Sequence, residues 1–298
     1  MLRLRRSELA VPGSNEDMIA KAAASRADFV FCDLEDAVPE GDKDDARERV
    51  VRSLQELDWG TKTRAVRVNG LDGPQGYEDL VEIVERAGPH LDVVILPKVV
   101  SAEEVRWVDR LLGYLEAKKR LQRRIGLELL IEEVKGLVHV EEIARCSPRV
   151  EALVFGAGDM SASQGVRVTE TLFPGDSYPG DFWHYARCKI VVAARAAGVV
   201  AVDSPHTDFN DLDGYRRECL RSSSLGFVGK WAIHPRQIDI ANEVFSPSEE
   251  EIKRARAVLS TYEEATARGL GAIQIDGVLI DEAIARIMRG VLERAALD

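Results

Sequence analysis

Residues 127–137 read LELLIEEVKGL. An apolar run the length of a buried strand ends in two adjacent carboxylates, Glu132 and Glu133, and passes at once into a segment of helical character. Strand interiors exclude unpaired charge, whereas the first turn of a helix accepts negative charge. The stretch therefore reads as strand, polar junction, helix. A period of two groups Glu132 with Leu130 and Glu128, and Glu133 with Ile131 and Leu129; neither set is cleanly interior. Alternation leaves open which glutamate belongs to the strand and which to the helix.

The same pattern recurs along the chain. Strand candidates are LAVPG (9–13), DFVFCDLE (28–35), RAVRVN (64–69), VVILPK (93–98), LELLIE (127–132), ALVFGAGD (152–159), VVAVDSP (199–205) and GFVGKWAI (226–233). Each is short, apolar and rich in β-branched or aromatic residues, which suits a strand buried on both faces. Between them lie amphipathic segments such as GYEDLVEIVERAG (76–88) and AEEVRWVDRLLGYLEAKKRL (102–121). Ser101 and Ser246 are the expected N-caps of two of the helices. Strands alternating with helices imply parallel pairing through right-handed crossovers. Eight such strands fit an α/β fold of the (β/α)8 TIM barrel type better than an open sheet. The absence of a Gly-rich turn after the first strand also argues against a dinucleotide-binding sheet.

Two segments depart from this rhythm. VTETLFPGDSYPGDFWHY (168–185) is a long Gly/Pro/aromatic insertion after the sixth strand, of the kind that forms lids or binding loops. From 247 onward the chain reads as a small appended module: a helix, then AIQIDGVLID (272–281), which alternates as a hairpin about Asp276-Gly277. The expected organisation is a barrel domain over 1–246 and a C-terminal α/β lid segment over 247–298.

Composition limits the function. With 45% hydrophobic and 31% charged residues the chain is a soluble globular protein, and its formal net charge of -11 argues against nucleic-acid partners. The four cysteines, Cys32, Cys146, Cys188 and Cys219, form no CxxC pair, so a reducing, cytoplasmic setting is expected. No signal peptide or membrane-spanning run is apparent.

Chemistry gathers at the C-terminal ends of the strands. Asp33, Glu35 and Asp36 follow the second strand and Arg67 ends the third. Lys98, Glu132, Asp159 and Asp203 follow the fourth to seventh, and Lys230 lies in the eighth. In a (β/α)8 barrel these ends converge on one face. Glu132 and Asp159 are the natural cation pair, since hard carboxylate oxygens suit Mg2+ and, as an alternative, Mn2+. His206 and His234 read as structural residues.

RRSELAVPGS (5–14), FCDLEDAVP (31–39), VRVNG (66–70), ILPKV (95–99), LLIEEVKGL (129–137), VFGAGDMSAS (154–163), GKWAIHPRQI (229–238) and GAIQIDGVLIDEA (271–283) occur in this order. Together they resemble the HpcH/HpaI aldolase and citrate lyase β-subunit family, most closely its malyl-CoA lyase branch. The resemblance spans essentially the whole chain. It implies a barrel with a C-terminal lid, assembled as homo-trimers or homo-hexamers in which the lid serves a neighbouring subunit. It assigns metal binding to Glu132 and Asp159, and catalytic roles to Arg67, which also binds substrate, and to Asp281. Glu35, Asp36, Lys98, Asp203, Ser204 and Pro205 are the remaining expected substrate-binding residues. The implied reaction is the Mg2+-dependent, reversible cleavage of malyl-CoA or β-methylmalyl-CoA to glyoxylate and an acyl-CoA. A malyl-CoA thioesterase, a citramalyl-CoA lyase and a citrate lyase β-like subunit of a larger complex are the alternatives. One departure stands out: VDSPH (202–206) replaces the branch's usual IDGPF, which changes polarity at Ser204 and His206.

Overall fold

Strands buried on both faces must pair with one another and be covered by helices, and the computed structural model shows this arrangement for residues 3–167 and 180–297. Eight parallel strands close into a barrel in chain order. They are β1 (Ser7–Pro12), β2 (Phe29–Asp33), β3 (Thr63–Arg67), β4 (Val93–Leu96), β5 (Gly126–Ile131), β6 (Val150–Phe155), β7 (Val200–Asp203) and β8 (Gly229–Ala232). Every residue of β2, β4, β5 and β8 is buried. Closure comes from β1 against β8, with Ser7 beside Lys230 and Glu8 beside Trp231. At that seam a Cβ on Gly229 would overlap the Arg5 carbonyl oxygen, so the position admits glycine alone.

The helices of the barrel are α1 (Glu16–Ala23), α2 (Lys43–Glu56), α3 (Pro74–Ala87), α4 (Ala102–Lys119), α5 (Val134–Val138), α6 (Val140–Ala144), α7 (Ala157–Gln164), α8 (His184–Ala197) and α9 (Leu212–Leu225). Ser101 caps α4 as expected, in a reciprocal box with Glu104. Most of the 168–185 insertion, residues 168–179, lies outside the described residues.

The chain divides into two units, Arg5–Asn242 and a C-terminal unit beginning at Glu243, to which the described residues before Arg5 also belong. The division falls within α10 (Ile238–Phe245). The C-terminal unit contains α11 (Glu249–Ala267), the antiparallel pair β9 (Ile273–Ile275) and β10 (Val278–Ile280), and α12 (Glu282–Ala295). Its core is Val258, Leu259, Tyr262, Ile280 and Ala285. The hairpin turns at Asp276-Gly277, both with positive φ (48° and 81°), as a two-residue Asp-Gly loop requires. The expected cap at Ser246 is corrected by two residues. Ser248 caps α11, because Glu251 stands three positions beyond it and closes the capping box. No described helix is long and apolar enough to cross a membrane.

Phe29, Phe31, Ala65, Val93, Ile95, Leu130, Ala152, Val154, Val202 and Trp231 form one cluster. Their alternate positions along the strands mark the face turned into the barrel. Glu8 and Glu128 share that parity near the N-terminal strand ends, where Arg5 lies 3.1 Å from Glu8 and is hydrogen-bonded to Glu128. All three are buried. Burial first, then the charge of Glu128, holds the Glu8 carboxyl well above its ordinary 4.5; burial likewise raises Glu128. One guanidinium shared by two desolvated carboxylates favours a proton held between them.

Unfolded, Glu8 loses its proton near 4.5; folded, it loses it only at a higher pH. Stability associated with Glu8 is therefore full below that value and falls as pH rises toward the elevated folded value. Whatever Glu8→Gln costs against Arg5, that cost does not titrate. Denaturant unfolding should show the variant gaining on wild type from pH 5 to 8, by about 1.4 kcal/mol per pH unit while folded Glu8 stays protonated. A pH-independent difference between the two proteins contradicts the shared proton.

Candidate active site

At the C-terminal ends of the strands lies a cavity of about 600 Å³. The barrel supplies its walls by parity: residues following the inward set on each strand reach the mouth with inward orientation. Asp33 continues Phe29 and Phe31, Arg67 continues Ala65, and Glu132 continues Leu130. Asp36, Asp159, Ser204 and Pro205 complete the part of the lining foreseen among the site residues.

Arg67 is buried, and its guanidinium is fixed along its edges. Its Nε donates to Asp33 Oδ1 at 2.7 Å and its Nη2 to Asp33 Oδ2 at 2.6 Å, while Nη1 lies 2.9 Å from Glu35 Oε2. Asp33 is itself held by the backbone N–H groups of Glu35 and Ala37. Burial opposes a charge on Arg67, but these partners overcome it and raise its pKa further. Of the five N–H donors of the fork, two are committed to hydrogen bonds with Asp33, while Nη1 faces Glu35 as an ion pair.

Glu132 is 2% exposed. The Lys98 backbone N–H donates to its Oε1 at 2.9 Å, a geometry that Lys98 reaches by adopting a left-handed φ of 51°. A non-glycine residue there stores strain on the order of 1–3 kcal/mol. The Lys98 ammonium meanwhile hydrogen-bonds Glu35, stands 3.4 Å from Asp36 and reaches within 4.0 Å of Asp159. Burial, then the charge of Asp159, pushes the Glu132 carboxyl up to about 8. Burial also raises Glu35; Asp36 moves down, because Lys98 and Arg67 outweigh its own burial. Glu133 occupies the position before α5 and accepts from Ser163 Oγ at 2.6 Å. The two adjacent glutamates thus face different structures.

Glu132 and Asp159 offer hard oxygen donors on one cavity, a set that fits a divalent cation taking one or two carboxylates and completing its shell with water or substrate. Among the described residues no group of three His, Cys, Asp or Glu side chains gathers to hold a metal, so no protein-only cage is built.

The structure places Asp203, expected among the substrate-binding residues, away from the cavity lining. It is fully buried. Its neighbour Val202 takes the inward position, which turns Asp203 toward the helices. There it accepts from Lys230 Nζ at 2.9 Å, Arg187 Nε at 3.0 Å and the Ser222 hydroxyl. Burial opposes its charge, but Lys230 and Arg187 hold the carboxyl far below its usual range. Lys230 also pairs with Glu218 at 2.9 Å, and Glu218 contacts His206 Nδ1 at 3.0 Å. His206 thus stands in the cavity wall as part of an ion network. Glu35 and Lys98 do not line the cavity; they support residues that do. Asp281 belongs to the C-terminal unit, where it caps α12: its Oδ1 accepts from the Ala283 and Ile284 amides at 3.0 and 3.1 Å.

Arg187, Trp183, Trp231 and Gly156 line the cavity without having been singled out in sequence. Only parity with the inward set could have pointed to Trp231 and Gly156. A Cβ on Gly156 would come within 2.5 Å of both Cβ and Oε2 of Glu132, so this glycine makes room for the carboxylate.

A model of the HpcH/HpaI aldolase/citrate lyase family matches residues 6–235. The L-malyl-CoA/beta-methylmalyl-CoA lyase of Rhodobacter capsulatus is 42% identical over 304 residues, covering 99% of this chain and 96% of that protein. The citrate lyase subunit beta of Leuconostoc mesenteroides subsp. cremoris is 37% identical, covering 98% and 94%. Among solved structures, the CitE protein of Mycobacterium tuberculosis, in complex with magnesium, acetoacetate and coenzyme A, is 28% identical with a TM-score of 0.77, covering 97% of each chain.

Gly156→Ala tests the placement of Glu132. Isothermal titration with Mn2+ should show affinity lowered by about tenfold or more, the usual cost of disturbing a ligand's support. Unchanged affinity in a folded variant removes Glu132 from the cation site.

Proposed function

This chain belongs to the HpcH/HpaI aldolase/citrate lyase family, and we propose that it is a carbon–carbon lyase that reversibly cleaves malyl-CoA or β-methylmalyl-CoA to glyoxylate and acetyl-CoA or propionyl-CoA. The observation that carries the reading is the convergence of Arg67, Glu132 and Asp159 on one cavity. These residue types match a reaction whose leaving fragment is a thioester enolate and whose other product is a small oxo acid.

Each residue has a physical task. Arg67 keeps its positive charge under any working condition and directs its remaining donors to the cavity, where negative charge on the thioester oxygen grows as the bond breaks. Asp33 and Glu35 fix that charge in place beforehand, so little reorganisation accompanies the step. Glu132 and Asp159 would hold the divalent cation, with Mg2+ favoured over Mn2+ by the magnesium in the related CitE structure. When bound, that ion supplies Lewis-acid polarisation of the glyoxylate-derived oxygens. Asp281 exchanges a proton with the acyl α-carbon, as general base in the condensation direction. Capping α12 occupies its Oδ1 and leaves Oδ2 for that task. Asp281 would be supplied to the barrel of a neighbouring copy in a homo-trimer or homo-hexamer. Four free cysteines suit a cytoplasmic enzyme. Ser204 and Pro205 contribute wall rather than charge to the acyl-CoA site.

Product analysis decides among the alternatives. Purified chain with malyl-CoA and Mg2+ should release acetyl-CoA and glyoxylate, and chelation should abolish the reaction. Free CoA with malate identifies a thioesterase. Cleavage of citramalyl-CoA to pyruvate, with malyl-CoA untouched, identifies the citramalyl enzyme. Glu132→Ala and Asp281→Asn should both fold and lose roughly a hundredfold or more of kcat. An active Glu132→Ala enzyme rules out the proposed cation site.

A further inference from the structure

The carboxylates around Arg67 fix only the edges of its guanidinium; its face is supported by something else. The Trp231 ring lies 5.7 Å below the guanidinium carbon, within cation–π range, on β8 across the barrel. Trp231 is 5% exposed and tilted against Phe31 with ring centroids 4.5 Å apart. Its indole N–H donates to Glu8 Oε2 at 2.9 Å, and Glu8 is gripped by Arg5 at 3.1 Å. Arg5, Glu8, Trp231 and Arg67 thus form a continuous column through the lumen, from the buried charges at the N-terminal strand ends to the cavity at the mouth.

We propose that Trp231 is a positioning residue for Arg67: anchored from below by Glu8, its ring face sets the height and tilt of the guanidinium that meets the substrate. This deepens the lyase reading and rests on it for the kinetic consequence alone. A buried Trp needs a partner for its N–H, and the lumen offers one in a carboxyl that is otherwise costly to bury. An aliphatic residue of similar volume would fill the lumen but present no π-face, and phenylalanine would present the face without the anchor. The role predicts an effect on the reacting state more than on substrate affinity, because Arg67 meets its full charge partner only as the enolate forms.

The test has a kinetic and a spectroscopic arm. Trp231→Phe should lower kcat about tenfold with KM changed less than about threefold, and Trp231→Leu should lower kcat further. A raised KM with unchanged kcat makes Trp231 a wall of the cavity only and overturns the proposal. For the second arm the chain is labelled with 5-fluorotryptophan, and the Trp231 resonance is assigned from its loss in Trp231→Phe. Arg67→Lys and Glu8→Gln should each shift that resonance and leave those of Trp59 and Trp107 in place. A Trp231 resonance indifferent to both substitutions overturns the column directly. If Trp231→Phe does not fold, the resonances of Trp59, Trp107 and Trp183 are assigned by their loss in single Phe variants, and the one that remains, moving in both Arg67→Lys and Glu8→Gln or in neither, gives the same decision. If wild type shows no lyase activity, the reading of function fails while the spectroscopic arm still decides the column.

Discussion

Everything at the mouth of this barrel depends on the two-residue period of its strands. Closure of eight parallel strands gives each one an inside and an outside, and one step along a strand changes which of them a side chain meets. Asp33, Arg67 and Glu132 meet because each stands an even number of residues beyond a lumen side chain of its own strand. Asp203 stands one residue beyond Val202 and so joins Arg187, Lys230 and Ser222 in the layer between sheet and helices. Two aspartates at strand ends, similar in sequence, thereby acquire unrelated surroundings.

Electrostatics then divides the work between backbone and side chains. The acidic residues of the mouth outnumber the two cations, Arg67 and Lys98, that contact them. Arg67 answers Asp33 and Glu35 with a forked side chain, and Lys98 answers Glu35, Asp36 and Asp159 with a single ammonium. Glu132 receives a backbone amide instead of a cation. It is therefore the carboxylate with most to gain from an added positive charge, and it lies beside the half-exposed Asp159 on an open cavity.

The eight strands, their order, the Asp276-Gly277 hairpin and the Ser101 cap were legible because each rests on local chemistry: apolar runs, a turn needing positive φ, a hydroxyl before a helix. The convergence of Arg67, Glu132 and Asp159 followed once a barrel was assumed. Choosing Glu132 over Glu133 was not legible from alternation, and Glu128 is the reason. A charged residue in the inward set made that set look no more interior than its alternative. Only Arg5, 123 residues away in sequence, makes Glu128 a lumen residue. Arg187 and Trp231 were missed for a related cause: their partners lie on other strands and helices, and no spacing within one segment announces them.

The cap on α12 has a consequence for how the proposed base is made ready. Asp281 is oriented by the first amides of that helix and, in turn, begins it. The carboxylate and the helix therefore order together. If Asp281 is the proposed base, fraying of a single turn of α12 removes the amides that orient it. Readiness of the proposed base then follows the local stability of this 14-residue helix on the core that it shares with α11.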